Sequence, residues 1–189
     1  MGLAWRVAEL GIISCVIDLR GHGENLLNLD HGVFSDIEAT IKYCRRYGKV
    51  AAIGHSSGGR LSLLSSADFA IGISPALNKE FSETTQKVLK DLRNYRVRES
   101  FQNVIFDILQ TLPVWHPNNS RETSVIFGSR DIPEIVQACK ELVSTDTTLD
   151  FIAGALHSDI FLLEKTIESV TNQLTKWFSL DKGNTLLMN

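Results

Sequence analysis

Between Val50 and Ala67 the chain passes from a strand into a helix with almost no room for a turn. Val50-Ala-Ala-Ile53 is a short apolar run of the kind buried on both faces of a sheet. Gly54-His-Ser-Ser-Gly-Gly59 follows at once, and Arg60 to Ala67 takes up helical character. A strand that feeds a helix this directly is part of a βα unit, and repeated βα units build a parallel sheet. The flanking sequence repeats the alternation. Helical patterns over Leu3–Leu10, Phe34–Tyr47, Glu134–Val143 and Ile160–Trp177 alternate with strand patterns at Ile12–Ile17, Phe69–Ile73, Ser124–Phe127 and Leu149–Ala153. Gly11 and Gly48 stand where helices stop, Ser35 or Asp36 near the start of one, and Pro133 suits a first turn. The pattern predicts an α/β fold: a mostly parallel sheet of about five strands, Ile12–Ile17 among them and buried on both faces, with helices on both sides. Residues 1–180 form a single domain, with two short amphipathic helices at about 79–112, a loop bounded by Pro113 and Pro117, and a frayed tail at 181–189. Right-handed crossovers collect the strand C-termini along one edge. The loops that open at Asp18, Gly54, Ser74, Gly128 and Gly154 therefore meet there.

Composition narrows the function classes. The chain has 189 residues, 43% hydrophobic and 22% charged, which is enough for one buried core and too ordered in composition for a disordered segment. A net charge of −3 without a run of Lys or Arg excludes nucleic acid as the natural partner. No stretch of about 18 apolar residues is present, so no membrane span is expected. Gly11 to Ile17 is too short for a signal core and is flanked by Glu9 and Asp18; position 6 is Arg, which argues against myristoylation at Gly2. Cys15, Cys44 and Cys139 are odd in number and widely spaced. They read as buried free thiols in a reducing compartment, hence a cytoplasmic protein, and none has metal-ligand spacing. The Asn118-Asn119-Ser120 sequon matters only in a secreted chain. No cofactor and no metal are called for.

Gly54-His55-Ser56-Ser57-Gly58 matches G-x-S-x-G in the strand–turn–helix context that this motif requires. The turn would strain the backbone at Ser56, and Gly54 and Gly58 would relieve the crossing of strand and helix. A phosphate loop is the alternative, but the GK[ST] ending is missing. A serine hydroxyl needs a base to act as a nucleophile. His157, in Gly154-Ala-Leu-His-Ser158 after the last strand, sits where an imidazole can reach across the sheet edge. Asp131, in Gly128-Ser-Arg-Asp131, would accept the second imidazole N–H and fix the tautomer; it could also cap the Pro133 helix. Asp150 and Asp159 are weaker rivals, the first on a strand and the second too near His157 in sequence.

Four segments resemble the α/β-hydrolase superfamily: Asp18-Leu-Arg-Gly-His-Gly-Glu24, the elbow at 54–59, Gly128–Asp131 and Gly154–His157, in the order Ser, Asp, His. In the first loop Asn25 stands where the family has Ser. The resemblance covers about residues 3 to 178. It implies an esterase-, lipase- or peptidase-like acyl transfer through an acyl-enzyme, with Ser56, Asp131 and His157 catalytic and the Ser57 backbone N–H as one oxyanion donor. It makes Arg20 and His22 structural and the 79–120 helices a small cap. It also implies three further strands before the first helix and a second oxyanion donor from the loop after the third. Without that strand a slot of about 10 Å separates Ile12–Ile17 from Val50–Ile53. Either the two pair directly, another chain fills the slot and the protein self-associates through an open sheet edge, or the protein is a fragment or a late start. Met1, just before the first helix, favours the last.

Three functions stay in view: a serine hydrolase of small carboxylic esters or related acyl compounds, a catalytically impaired binding protein on the same scaffold, and a thioesterase, peptidase or haloperoxidase-like activity. Phe81, Phe101, Phe106, Leu109 and Trp115 could line an acyl pocket or be plain core of the cap.

Overall fold

Strand formation is strongest where β-branched and aromatic residues can be covered on both faces. A computed structural model describes residues 2–93, 97–101, 103–117, 120–145 and 147–180. Four strands, β1 (Ala51–His55), β2 (Phe69–Ile73), β3 (Thr123–Gly128) and β4 (Thr148–Ile152), form a parallel sheet in the order β1-β2-β3-β4. Every residue of β2 and β3 is buried. The register is in phase: Ile71 lies beside Ile53 and Ser124, and Val125 beside Gly72 and Leu149.

Alternation along these strands divides the core. Ala52, Ala70, Val125 and Phe127 face the cluster built from α2 (Val33–Cys44), α3 (Ser57–Leu64), α5 (Val104–Thr111) and α6 (Pro133–Lys140). Ile71, Ile73, Ile126 and Ile152 face α1 (Leu3–Ala8) and α7 (Glu164–Trp177). On α7 the apolar positions Ile167, Val170, Leu174 and Trp177 recur at helical spacing, and Trp177 stacks on Phe69 at 5.1 Å. The remaining helix, α4 (Glu83–Arg93), joins α5 in the insertion between β2 and β3. The helical ends differ from expectation by a few residues, as short 3-10 turns at 45–47, 141–144 and 160–162 take up their margins.

Arg60 anchors the insertion. Its side chain is fully buried, and its guanidinium donates to the carbonyls of Ala76, Asn78, Leu112 and Pro113, tying both ends of the insertion to α3. Arg20 similarly holds Asp30 and Asp36. α2 begins at Val33 with Gly32 at its cap position, and Asp36 lies in its first turn.

The expected strand Ile12–Ile17 is not formed. The described residues 12–17 join no ladder and make no backbone–backbone hydrogen bond, and Ile13 and Val16 are 70% and 76% exposed. Direct pairing with β1 is thereby excluded. An isolated strand has nothing to hydrogen-bond, so apolar, β-branched sequence alone does not make one. Cys15, on this segment, is exposed and Cys44 half-buried; only Cys139 is a buried thiol, and all three are free. No helix among the described residues is long and apolar enough to cross a membrane. The tail at 181–189, Met1 and the Asn118-Asn119 part of the sequon lie outside the described residues.

Candidate active site

The elbow puts Ser56 at the end of β1 and the start of α3. Its backbone has φ 57° and ψ −120°, the strained conformation expected of the turn. Close approach of strand and helix explains two glycines. A Cβ on Gly54 would lie 2.2 Å from the Gly58 carbonyl oxygen, and one on Gly59 would lie 3.0 Å from the Gly54 carbonyl oxygen and 3.2 Å from Pro75. Gly58, expected to relieve the crossing, faces open space; Gly59 fills that role with Gly54. The turn is tied down by its neighbour: Ser56 N–H donates to Ile73 O, and Ala76 N–H donates to Ser56 O. Ser57 is the first residue of α3, so no intrahelical carbonyl faces its N–H.

The loops after β3 and β4 bring the other two groups in. His157 Nε2 lies 3.0 Å from Ser56 Oγ, and His157 Nδ1 lies 2.8 Å from Asp131 Oδ1. A carboxylate only accepts, so Nδ1 carries the proton and Nε2 is left to accept from the serine hydroxyl. The Asp131 side chain is wholly enclosed. Burial works against its charge, but hydrogen bonds from His157, Ser74 and the Ile132 N–H outweigh it and hold the carboxyl below its usual range. Asp131 does not cap α6; the cap position is Ile132. The rivals are engaged elsewhere, Asp150 with Ser169 and Asp159 with the Leu156 N–H.

The profile of the Alpha/beta hydrolase family matches residues 2–156. The chain belongs to that family. No curated protein matches it. Among solved structures, an esterase from Pyrobaculum calidifontis is 20% identical, with a TM-score of 0.65 over 95% of this chain and 71% of that one. A monoacylglycerol lipase from Paleococcus ferrophilus is 19% identical, with a TM-score of 0.62 over 93% and 86%. A methylesterase from Arabidopsis is 17% identical, with a TM-score of 0.59 over 93% and 94%. At such identities the likeness is one of fold.

As in any α/β hydrolase sheet, the loops at the strand C-termini enclose a hollow. Here it measures about 600 Å³ and opens on Ser56, His157 and Ser57. Its walls are mostly apolar, with Leu29, Val33 and Leu61 from the segment before α2, α2 and α3, and Leu89, Phe106 and Leu109 from the insertion, which also contributes Asp91. Of the five residues considered for such a lining, Phe106 and Leu109 border it. Phe81 and Trp115 are buried outside it, and Phe101 is 48% exposed. His22, hydrogen-bonded to the Arg20 carbonyl, also borders it. A shallower hollow of about 640 Å³ at the C-terminal end of α3 touches none of Ser56, Asp131 and His157.

Two polar neighbours flank the relay; the sequence names His55 only as part of the elbow and gives no role to Ser74. Ser74, after β2, donates its hydroxyl to Asp131 Oδ2. His55 packs its ring against His157 at 4.7 Å and Phe161 at 4.9 Å. Burial pushes His55 down to about 4, with the neighbouring His157 adding to the effect and the His157 carbonyl and Asp131 opposing it. No cluster of three or more His, Cys, Asp or Glu among the described residues could hold a metal ion.

Proposed function

We propose that this α/β hydrolase is a serine hydrolase of carboxylic esters with an apolar acyl group, working through an acyl-enzyme. The observation that carries the reading is the relay from Ser56 Oγ to His157 Nε2 and from His157 Nδ1 to Asp131 Oδ1, at 3.0 and 2.8 Å. Ser56 Oγ attacks the ester carbonyl carbon while its proton passes to His157 Nε2. Asp131 holds the ring and stabilises the imidazolium. The Ser57 N–H donates to the oxyanion as it forms. The ester C–O bond breaks, and the departing alkoxide takes the proton from Nε2. Water then attacks the acyl-serine, gives a proton to His157, and the collapse frees the acid and restores the Ser56 hydroxyl.

The apolar hollow supports the acyl preference, and α4 and α5 act as its cap, since Leu89, Phe106 and Leu109 come from them. Each methylene buried contributes about 0.8 kcal/mol, close to fourfold in binding. With p-nitrophenyl esters, kcat/KM should climb several-fold per two carbons from acetate toward octanoate and then level off as the hollow fills. Activity should vanish in Ser56→Ala. Equal rates in wild type and Ser56→Ala would favour a binding protein on the same scaffold. A flat or falling series would remove the apolar acyl assignment and leave thioester or peptide substrates to be tried. Three unpaired cysteines, one of them exposed, suit a reducing compartment and support a cytoplasmic assignment.

A further inference from the structure

The loop from Ile73 to Ala76 touches both ends of the relay. Its Ile73 carbonyl accepts the Ser56 N–H and its Ala76 N–H donates to the Ser56 carbonyl. Between these two contacts, the Ser74 hydroxyl donates to Asp131 Oδ2. Ser74 is fully buried and has φ 45°, a region that favours glycine. Its N–H is bound to the Ile126 carbonyl and it precedes Pro75, so the backbone has little freedom to move the hydroxyl. A glycine at position 74 would remove the backbone strain, and only the hydroxyl makes a serine useful there.

The other oxygen of Asp131 is already committed: Oδ1 faces His157 Nδ1 and the Ile132 N–H. Those contacts fix one oxygen and leave the carboxylate free to swing about it. A third donor on Oδ2 fixes its plane, and with it the direction in which the imidazole is held. The side chain of Asp131 has no exposure, so no solvent stands ready to replace that donor.

We propose that Ser74 is a positioning residue that sets the plane of the Asp131 carboxylate and, through it, the aim of His157 at Ser56. This rests on the serine hydrolase reading. The test compares Ser74→Ala and Ser74→Gly with wild type on a p-nitrophenyl ester, together with thermal unfolding. Both variants should lose about tenfold in kcat with KM within twofold. Both variants strip a donor from a buried carboxylate and should unfold below wild type, Ser74→Gly above Ser74→Ala because it is relieved of the positive φ. Retention of kcat within twofold in both variants overturns the proposal. So does a loss of kcat that follows the unfolding temperature, large in Ser74→Ala and slight in Ser74→Gly. If wild type itself gives no turnover dependent on Ser56, the hydrolase reading fails separately. The positioning claim is then decided by the proton NMR resonance of His157 Nδ1–H. A shift or broadening in Ser74→Gly supports it, and an unchanged resonance overturns it.

Discussion

His55 lies between Ser56 in sequence and His157 in space, its ring closed in by His157 and Phe161 and its Nε2 shut off from solvent without a partner. A neutral ring tolerates this and an imidazolium does not. The folded value near 4 lies below the ordinary 6.5, so the unfolded chain takes up the proton first as the pH falls. The stability linked to His55 is thus complete above pH 6.5 and is lost progressively between 6.5 and 4, by about 3 kcal/mol in all. His55→Phe keeps a ring in the stack and cannot titrate. Urea midpoints at pH 7.5 and pH 5 should show a smaller drop for the variant than for wild type, and equal drops would count against a neutral His55. At this scale the sequence was most legible where chemistry demands a residue type. Ser56, Asp131 and His157 could be named because each follows a strand in a fixed order. Ser74 could not, since a serine before a proline at a strand end reads as a turn, and its partner lies 57 residues away. The motif names Gly58, whereas the crossing geometry singles out Gly59.

Elements were legible where their own pattern decided them and misread where a neighbour did. Phe69–Ile73 is found at the boundaries its sequence predicts because both sides are covered by strands and helices. Ile12–Ile17 has equal strand propensity and no ladder, because pairing is a property of two segments. The consequence is an open edge. Among the described residues β1 pairs only with β2, and the apolar residues Ile13 and Val16 stand exposed on the unpaired segment 12–17. We propose that this edge pairs with a second copy of the chain. Light scattering during size exclusion should give a mass above that of one chain, rising with concentration. The double variant Ile13→Lys, Val16→Lys should shift the population toward monomer with little change in unfolding temperature, as both side chains are already in solvent. A monomer at every concentration, or an unaltered oligomer in the double variant, would contradict this.

Over the whole molecule, the alternation of strands and helices predicted a parallel sheet with one functional edge, and the sheet order brings the loops after β1, β2, β3 and β4 together there. Three residues far apart in the chain meet because parallel strands all end on the same side. The hollow above them was not legible. Its walls come from segments between which the sequence offers no pairing signal, and only two of five candidate side chains reach it. What the molecule does with that edge turns on whether Ser56 is a nucleophile driven by His157. The direct measurement is intact-mass spectrometry after a fluorophosphonate, with the adduct mapped by fragmentation. One adduct on Ser56 is predicted, absent in Ser56→Ala and slowed by about 10³-fold or more in His157→Ala. An unlabelled folded protein, an adduct at another residue, or an undiminished rate in His157→Ala would contradict the account.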